Sequence, residues 1–288
     1  VRSRRQRQMC IRDSSRGIYN RKVWFYYEFF SRKNLTLKDL GPANYVNLID
    51  DKIYFTNPNA INSKRHKIKN NLLGNASFCP VICKTPKLKL YIEKNLKQSA
   101  HVFVGQISPS VLRRAASFLL LSDSKASFEI EGERPPQNRI ERWGKIINEA
   151  GKTDFSIKEL KRLHGALIQN SKFIKIGLRD EGVFLGERDR DNNPIPEFIG
   201  AREDDLSELM EGLIQLNNFL SKQNLDPILH STIIAFAFIY IHPLQDGNGR
   251  IHRYLFHHIL GKQNFYQSKI IFPISSVILE DLESYRDI

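Results

Sequence analysis

Residues 241–253 read IHPLQDGNGRIHR, and the fold of the chain is decided by what stands on either side of them. Upstream, Asp226-Pro227 supplies an N-cap and a proline at the first helical position. Leu229, Ile233, Ala237 and Tyr240 then continue an almost wholly apolar helix, which must be buried. His242-Pro243 ends it. A second helix starts near Asn248 and runs through Ile251, Leu255 and Ile259 until Gly261. The DGNG loop therefore opens onto a helix N-terminus, where unpaired N–H groups and the positive end of the macrodipole favour an anion.

Each polar residue of the loop has a chemical use there. Glycines at 247 and 249 permit a nest-like turn that aims several N–H groups at one phosphate. Arg250 and Arg253, at i and i+3, add two cations beside it. Asp246 supplies a hard oxygen that suits Mg²⁺ held against bound phosphates. His242, with an ordinary imidazole pKa of ~6.5, is placed to take a proton from an incoming hydroxyl. The loop is not a Walker P-loop, because no strand precedes it and no Lys-Ser or Lys-Thr follows the glycines. The pattern points to attack of a hydroxyl on a nucleotide phosphate, driven by positioning and charge neutralisation.

Outward from the loop the chain reads as mainly helical. Ser108-Pro109 opens a long helix through Val111, Leu112, Leu119 and Leu120 that should stop at Gly132. Further amphipathic helices are expected at 136–150, 156–168 and 205–220. Between the last two, Val183–Leu185 and Ile195–Ile199 flank the turn-rich Asp191-Asn192-Asn193-Pro194, which predicts a β-hairpin over residues 183–200. Residues 21–107 alternate short apolar stretches with turn signals and read as an irregular, mostly helical region.

Composition sets the wider bounds. At 288 residues and 41% hydrophobic content the chain can bury a real core. Its longest apolar run, Ile233 to Ile241, is nine residues, against the roughly 20 that cross a bilayer, so no membrane span is expected. Residues 1–100 hold 21 Lys+Arg against 6 Asp+Glu, so the whole net charge of +13 comes from the first third. That asymmetry raises nucleic acid as a partner, although a cluster such as Lys64, Arg65, Lys67 and Lys69 serves equally as a solvated face. Residues 1–17 have basic residues without an apolar core and are set aside as a non-native leader. Cys79 and Cys83 lack companion ligands at metal spacing and read as reduced thiols, which suggests a cytoplasmic protein.

The 242–253 stretch resembles the signature of the Fic (Fido) family, HPFxDGNGRxxR, with Leu244 in place of the usual Phe. A second segment, Ser127 to Gly132 in ASFEIEGE, resembles that family's inhibitory motif SxxxEG. The resemblance implies a Fic-type helical core with a β-hairpin flap, divided into an N-terminal helical region over 18–150 and a Fic domain over 151–288. It also implies transfer of AMP from ATP, with Mg²⁺, to a Ser, Thr or Tyr hydroxyl of a target protein. In that reading His242 is the base, Asp246 ligates the metal, and Gly247, Asn248 and Gly249 cradle the α-phosphate. Arg250 and Arg253 bind the outer phosphates, and Glu131 inhibits by occupying Arg253.

The flap at 183–200 would bind the target by strand addition. A homodimer is compatible with this scheme, and nucleic acid would enter through a further module beyond residue 288. Two alternatives stay open: removal of AMP or transfer of another nucleotide, and a non-catalytic nucleic-acid-binding regulator.

Overall fold

The computed structural model describes residues 17–168, 174–223, 225–265 and 271–286. The chain divides into two units, residues 1–90 and 91–288.

The first unit begins with α1 (Ile18–Ser31), whose Trp24 and Phe25 are buried. Three short strands follow, β1 (Val46–Asn47), β2 (Ile61–Ser63) and β3 (Ile68–Asn70), in the order β1-β3-β2. β3 is parallel to β1, with Val46 opposite Ile68, and antiparallel to β2, with Ser63 opposite Ile68. This sheet lies in the stretch read as irregular and mostly helical. Strands of two and three residues are too short to display the alternation that identifies a strand in sequence. Phe25, Leu48, Ile68 and Leu72 form the unit's core.

Beside that core, Glu28 accepts from Trp24 and the Leu35 amide and pairs with Arg65 and His66, both at 3.0 Å. Arg65, a member of the basic cluster, is thereby paired with a buried carboxylate. Cys79 and Cys83 are free thiols, and no group of potential metal ligands occurs among the described residues.

α2 (Pro86–Glu93) spans the division between the units. The second unit continues with α3 (Leu96–Gly105), α4 (Pro109–Glu129), α5 (Gln137–Ile147) and α6 (Ile157–Leu167). An antiparallel hairpin of β4 (Phe184–Arg188) and β5 (Pro194–Ile199) comes next, with a bulge between Leu185 and Gly186. Then follow α7 (Leu206–Leu220), α8 (Pro227–Ile241), α9 (Asn248–Lys262), α10 (Ile274–Glu280) and α11 (Leu282–Arg286). The expected fold class holds: a mainly helical core carrying one small hairpin.

α8 is the centre because it is apolar on every side. Its Ile234, Ala235 and Phe238 are wholly buried, and it packs against α7 and α9. The Asp226 carboxylate caps it, accepting from the Ile228 and Leu229 amides at 2.9 and 3.1 Å. Met210 and Leu213 of α7, Leu163 of α6, and Ile251 and Leu255 of α9 complete the core. Each such side chain contributes about 1.5–3 kcal/mol by leaving water. No helix among the described residues is long and apolar enough to cross a membrane.

α4 packs against α5 and α10, and its C-terminal half is drawn into the core. Wholly buried Asp123 fixes it there, pairing with His257 of α9 at 3.1 Å and accepting from Ser275 and the Ser276 amide of α10. That attachment carries the end of α4 to the start of α9.

Candidate active site

The α8–α9 junction is built from the inside out. Leu244 is completely buried under the loop, so an aliphatic side chain anchors it. Asn248 clamps the turn, accepting from the Leu244 amide at 3.0 Å and donating to the Leu244 carbonyl at 2.8 Å. Its side chain is therefore occupied with the loop itself. Gly247 caps α9 with φ of 85°, a left-handed conformation that glycine adopts without a Cβ penalty. Behind it stands His164 of α6, wholly buried, whose Nδ1 accepts from the Gly177 amide at 3.0 Å.

His242 terminates α8 in the left-handed region, at φ 53° and ψ 58°. It is 7% exposed. Burial pushes its pKa down and Arg179 adds to this, while the Ile239 carbonyl and the Glu131 carboxylate act the other way. The net fall leaves the imidazole neutral at neutral pH, the state a general base requires. Leu185, Phe198, Phe236, Ile239, Tyr240 and Tyr285 join it around a largely apolar pocket of about 170 Å³. This pocket brings residues of the hairpin against α8, α11 and the end of the loop.

Asp246 is half-exposed. Its Oδ1 accepts from the Gly247 amide at 2.6 Å and from Arg250 at 2.9 Å. One carboxylate at the mouth of a phosphate site fits Mg²⁺, which binds through one or two carboxylates plus the phosphates and keeps much of its water.

Both arginines are buried, at 2% exposure each. Arg253 donates to the Glu131 carboxylate at 2.7 Å, to the Ser127 carbonyl at 2.7 Å and to the Ser127 hydroxyl at 3.2 Å. The two ends of the 127–132 motif thus meet the same guanidinium. Gly132, at φ 73°, turns the chain just past Glu131. Gly249 makes room for the pair, since a Cβ there would stand 2.1 Å from Glu131 Oε1.

Sequence reasoning identified every loop residue assembled here but missed three neighbours. Glu133 bonds Arg250 and also pairs with Arg139 at 2.6 Å, while Arg139 and Arg250 both lie over the Phe128 ring. Its place directly after Glu131-Gly132 was the available signal. Arg179 donates to the His242 carbonyl at 2.8 Å, and Tyr285 is half-buried close to Arg253 and Glu131. Neither carries a local motif, because each meets the loop only through the fold.

The chain is similar to known proteins over part of its length. Residues 154–260 match the sequence model of the Fic/DOC family. A stretch of 124 residues is 25% identical to protein adenylyltransferase fic-1 of Caenorhabditis elegans. It covers 43% of this chain but only 22% of that protein, so the chain spans less than a quarter of its relative's length.

Two crystal structures share the fold. A Fic-domain-containing signalling protein from Bacteroides thetaiotaomicron has 19% identity and a TM-score of 0.51, with 67% of this chain and 78% of that one covered. A Fic family protein from Desulfovibrio desulfuricans has 21% identity and a TM-score of 0.51, with 71% and 66% covered.

Proposed function

Because residues 154–260 match the sequence model of the Fic/DOC family, we propose that the chain transfers AMP from ATP to a hydroxyl side chain of a target protein and is restrained by its own Glu131. The observation that carries the reading is the convergence at one helix N-terminus of a neutral buried imidazole, a glycine-flanked turn and two buried arginines. The relative named as a protein adenylyltransferase supports the choice of AMP.

In this mechanism His242 takes the proton of the target hydroxyl. The hydroxyl oxygen bonds to the α-phosphorus, the bond to the bridging oxygen breaks, and pyrophosphate departs. The Gly247–Gly249 backbone receives charge developing on the α-phosphate. Arg250 and Arg253 neutralise the outer phosphates. Asp246 would hold Mg²⁺, which neutralises phosphate charge when bound. The apolar pocket beside His242 suits the nucleotide base. β5 contains Pro194 and Pro196, which have no N–H to donate. An added target strand would therefore pair along β4.

Glu131 and Glu133 sit where outer phosphates would go, so nucleotide must displace carboxylates to reach either arginine. Label transfer from α-³²P-ATP tests the reading. Glu131→Gly should raise self-labelling by about tenfold or more, the equivalent of one charged contact removed from competition. Adding His242→Ala should lower it again by roughly 10²–10⁴. If Glu131→Gly binds ATP yet labels neither itself nor a lysate, AMP transfer is wrong, and other nucleotides or a pre-modified target become the substrates to try.

A further inference from the structure

Arg179 lies in the segment between α6 and the hairpin and is 4% exposed. A buried guanidinium ordinarily sits against a carboxylate, because desolvating an unpaired charge is costly. Among the described residues Arg179 forms no ion pair within 4 Å. Its side-chain donors go instead to three main-chain carbonyls: Nε to His242 at 2.8 Å, and the two terminal nitrogens to Glu181 and Ala201. Its own amide donates to the Pro243 carbonyl at 3.0 Å.

These acceptors are not scattered. Glu181 stands two residues before the hairpin begins to pair, and Ala201 stands two residues after β5 ends. The Gly200 amide donates to the Val183 carbonyl across the hairpin root, and the Ala201 amide donates to the Ile241 carbonyl at the end of α8. One side chain therefore joins both legs of the hairpin to the residue that would act as base. The base itself needs that support, since a left-handed histidine costs about 1–2 kcal/mol relative to the right-handed form.

Resting on the proposed function, we infer that Arg179 is the positioning residue of this site, holding His242 in its left-handed conformation and locking the flap root to it so that base and target strand keep one geometry. The buried cation has a second effect, because it opposes a positive charge on the ring beside it. The charged and titratable groups around His242 are Arg179 from the pre-flap segment, Glu131 at the end of α4 with its partner Arg253 on α9, and the Tyr240 and Tyr285 phenols of α8 and α11. Glu203 and Glu181 act on Arg179 in turn, favouring its charged form against desolvation.

The test uses histidine-labelled protein in the Glu131→Gly background, with Arg179 intact, Arg179→Gln or Arg179→Lys. NMR follows the His242 titration, assigned by its loss in His242→Asn, and exchange of the Gly200 and Ala201 amides. Arg179→Gln should raise the His242 midpoint by about half a pH unit or more, because the neutral amide removes the repelling charge. Arg179→Lys keeps the charge and should leave the midpoint in place, while the two amides exchange about tenfold faster because three carbonyls are no longer bridged.

In label transfer both variants should lose kcat by about tenfold with KM for ATP changed less than about twofold, the signature of lost positioning. An unchanged midpoint in Arg179→Gln with unchanged exchange in both variants overturns the inference, whatever the labelling result. A shifted midpoint in a protein that transfers no AMP keeps Arg179 in its role and rejects the reaction instead. Should Arg179→Gln fail to give a dispersed spectrum, exchange in Arg179→Lys decides, and protection equal to that of the intact site rejects the positioning role.

Discussion

Glu133 stands two residues beyond Glu131 and takes the other arginine. Glu131 holds Arg253 from one side of Gly132, and Glu133 holds Arg250 from the other. Arg250 keeps the Asp246 carboxylate when Glu133 is absent, so removing Glu133 leaves that arginine with an ion partner. Glu133→Ala in the Glu131→Gly background is therefore expected to tighten Mg-ATP binding by roughly threefold to tenfold, as a competing carboxylate leaves the phosphate site. Isothermal titration measures it. A weaker affinity would mean that Glu133 orients Arg250 for phosphate, and the competing role would be withdrawn.

At the scale of elements, the position of α4 matters more than its sequence motif. An SxxxEG segment meets Arg253 only where its helix reaches the N-terminus of α9, and Asp123 anchors that helix through His257, Ser275 and the Ser276 amide. Asp123→Ala should lower the stability of the 91–288 unit by about 3 kcal/mol, because it leaves buried donors without their acceptor. Urea unfolding reads this as a lowered midpoint at constant slope, and a loss under about 1 kcal/mol would assign the attachment of α4 to apolar packing alone. The boundaries of α4, α8 and the hairpin were close to those read from Pro109, Asp226-Pro227 and the Asp191–Pro194 turn, because caps and prolines act locally. The sheet of the first unit was not legible, since its pairing of Val46 with Ile68 joins residues far apart in the chain.

For the molecule as a whole, buried histidines set the response to acid. His230, His252 and His258 are pushed down to about 4 by burial. The unfolded chain binds protons on these rings below ~6.5 whereas the folded unit resists until about 4. The stability they contribute is complete above the unfolded value and declines as pH falls through that window, by up to ~1.4 kcal/mol per pH unit for each ring. Chemical unfolding of the second unit between pH 7 and 4 should show this decline, and a flat profile would mean that the rings are solvated in the folded state.

The sequence by itself determined the helical class, the hairpin and the loop at 242–253, because caps, turns and hydrophobic period are decided by near neighbours. The family resemblance also implied the pairing of Glu131 with Arg253, a contact that the structure contains. Only the tertiary structure decided that Glu133 engages Arg250, that Asn248 serves the loop, that Tyr285 lines the pocket and that Arg179 bridges the flap root to His242. Apart from the local Asn248–Leu244 pair, those contacts join residues tens of positions apart, and such pairings arise from packing around α8, which no local rule encodes.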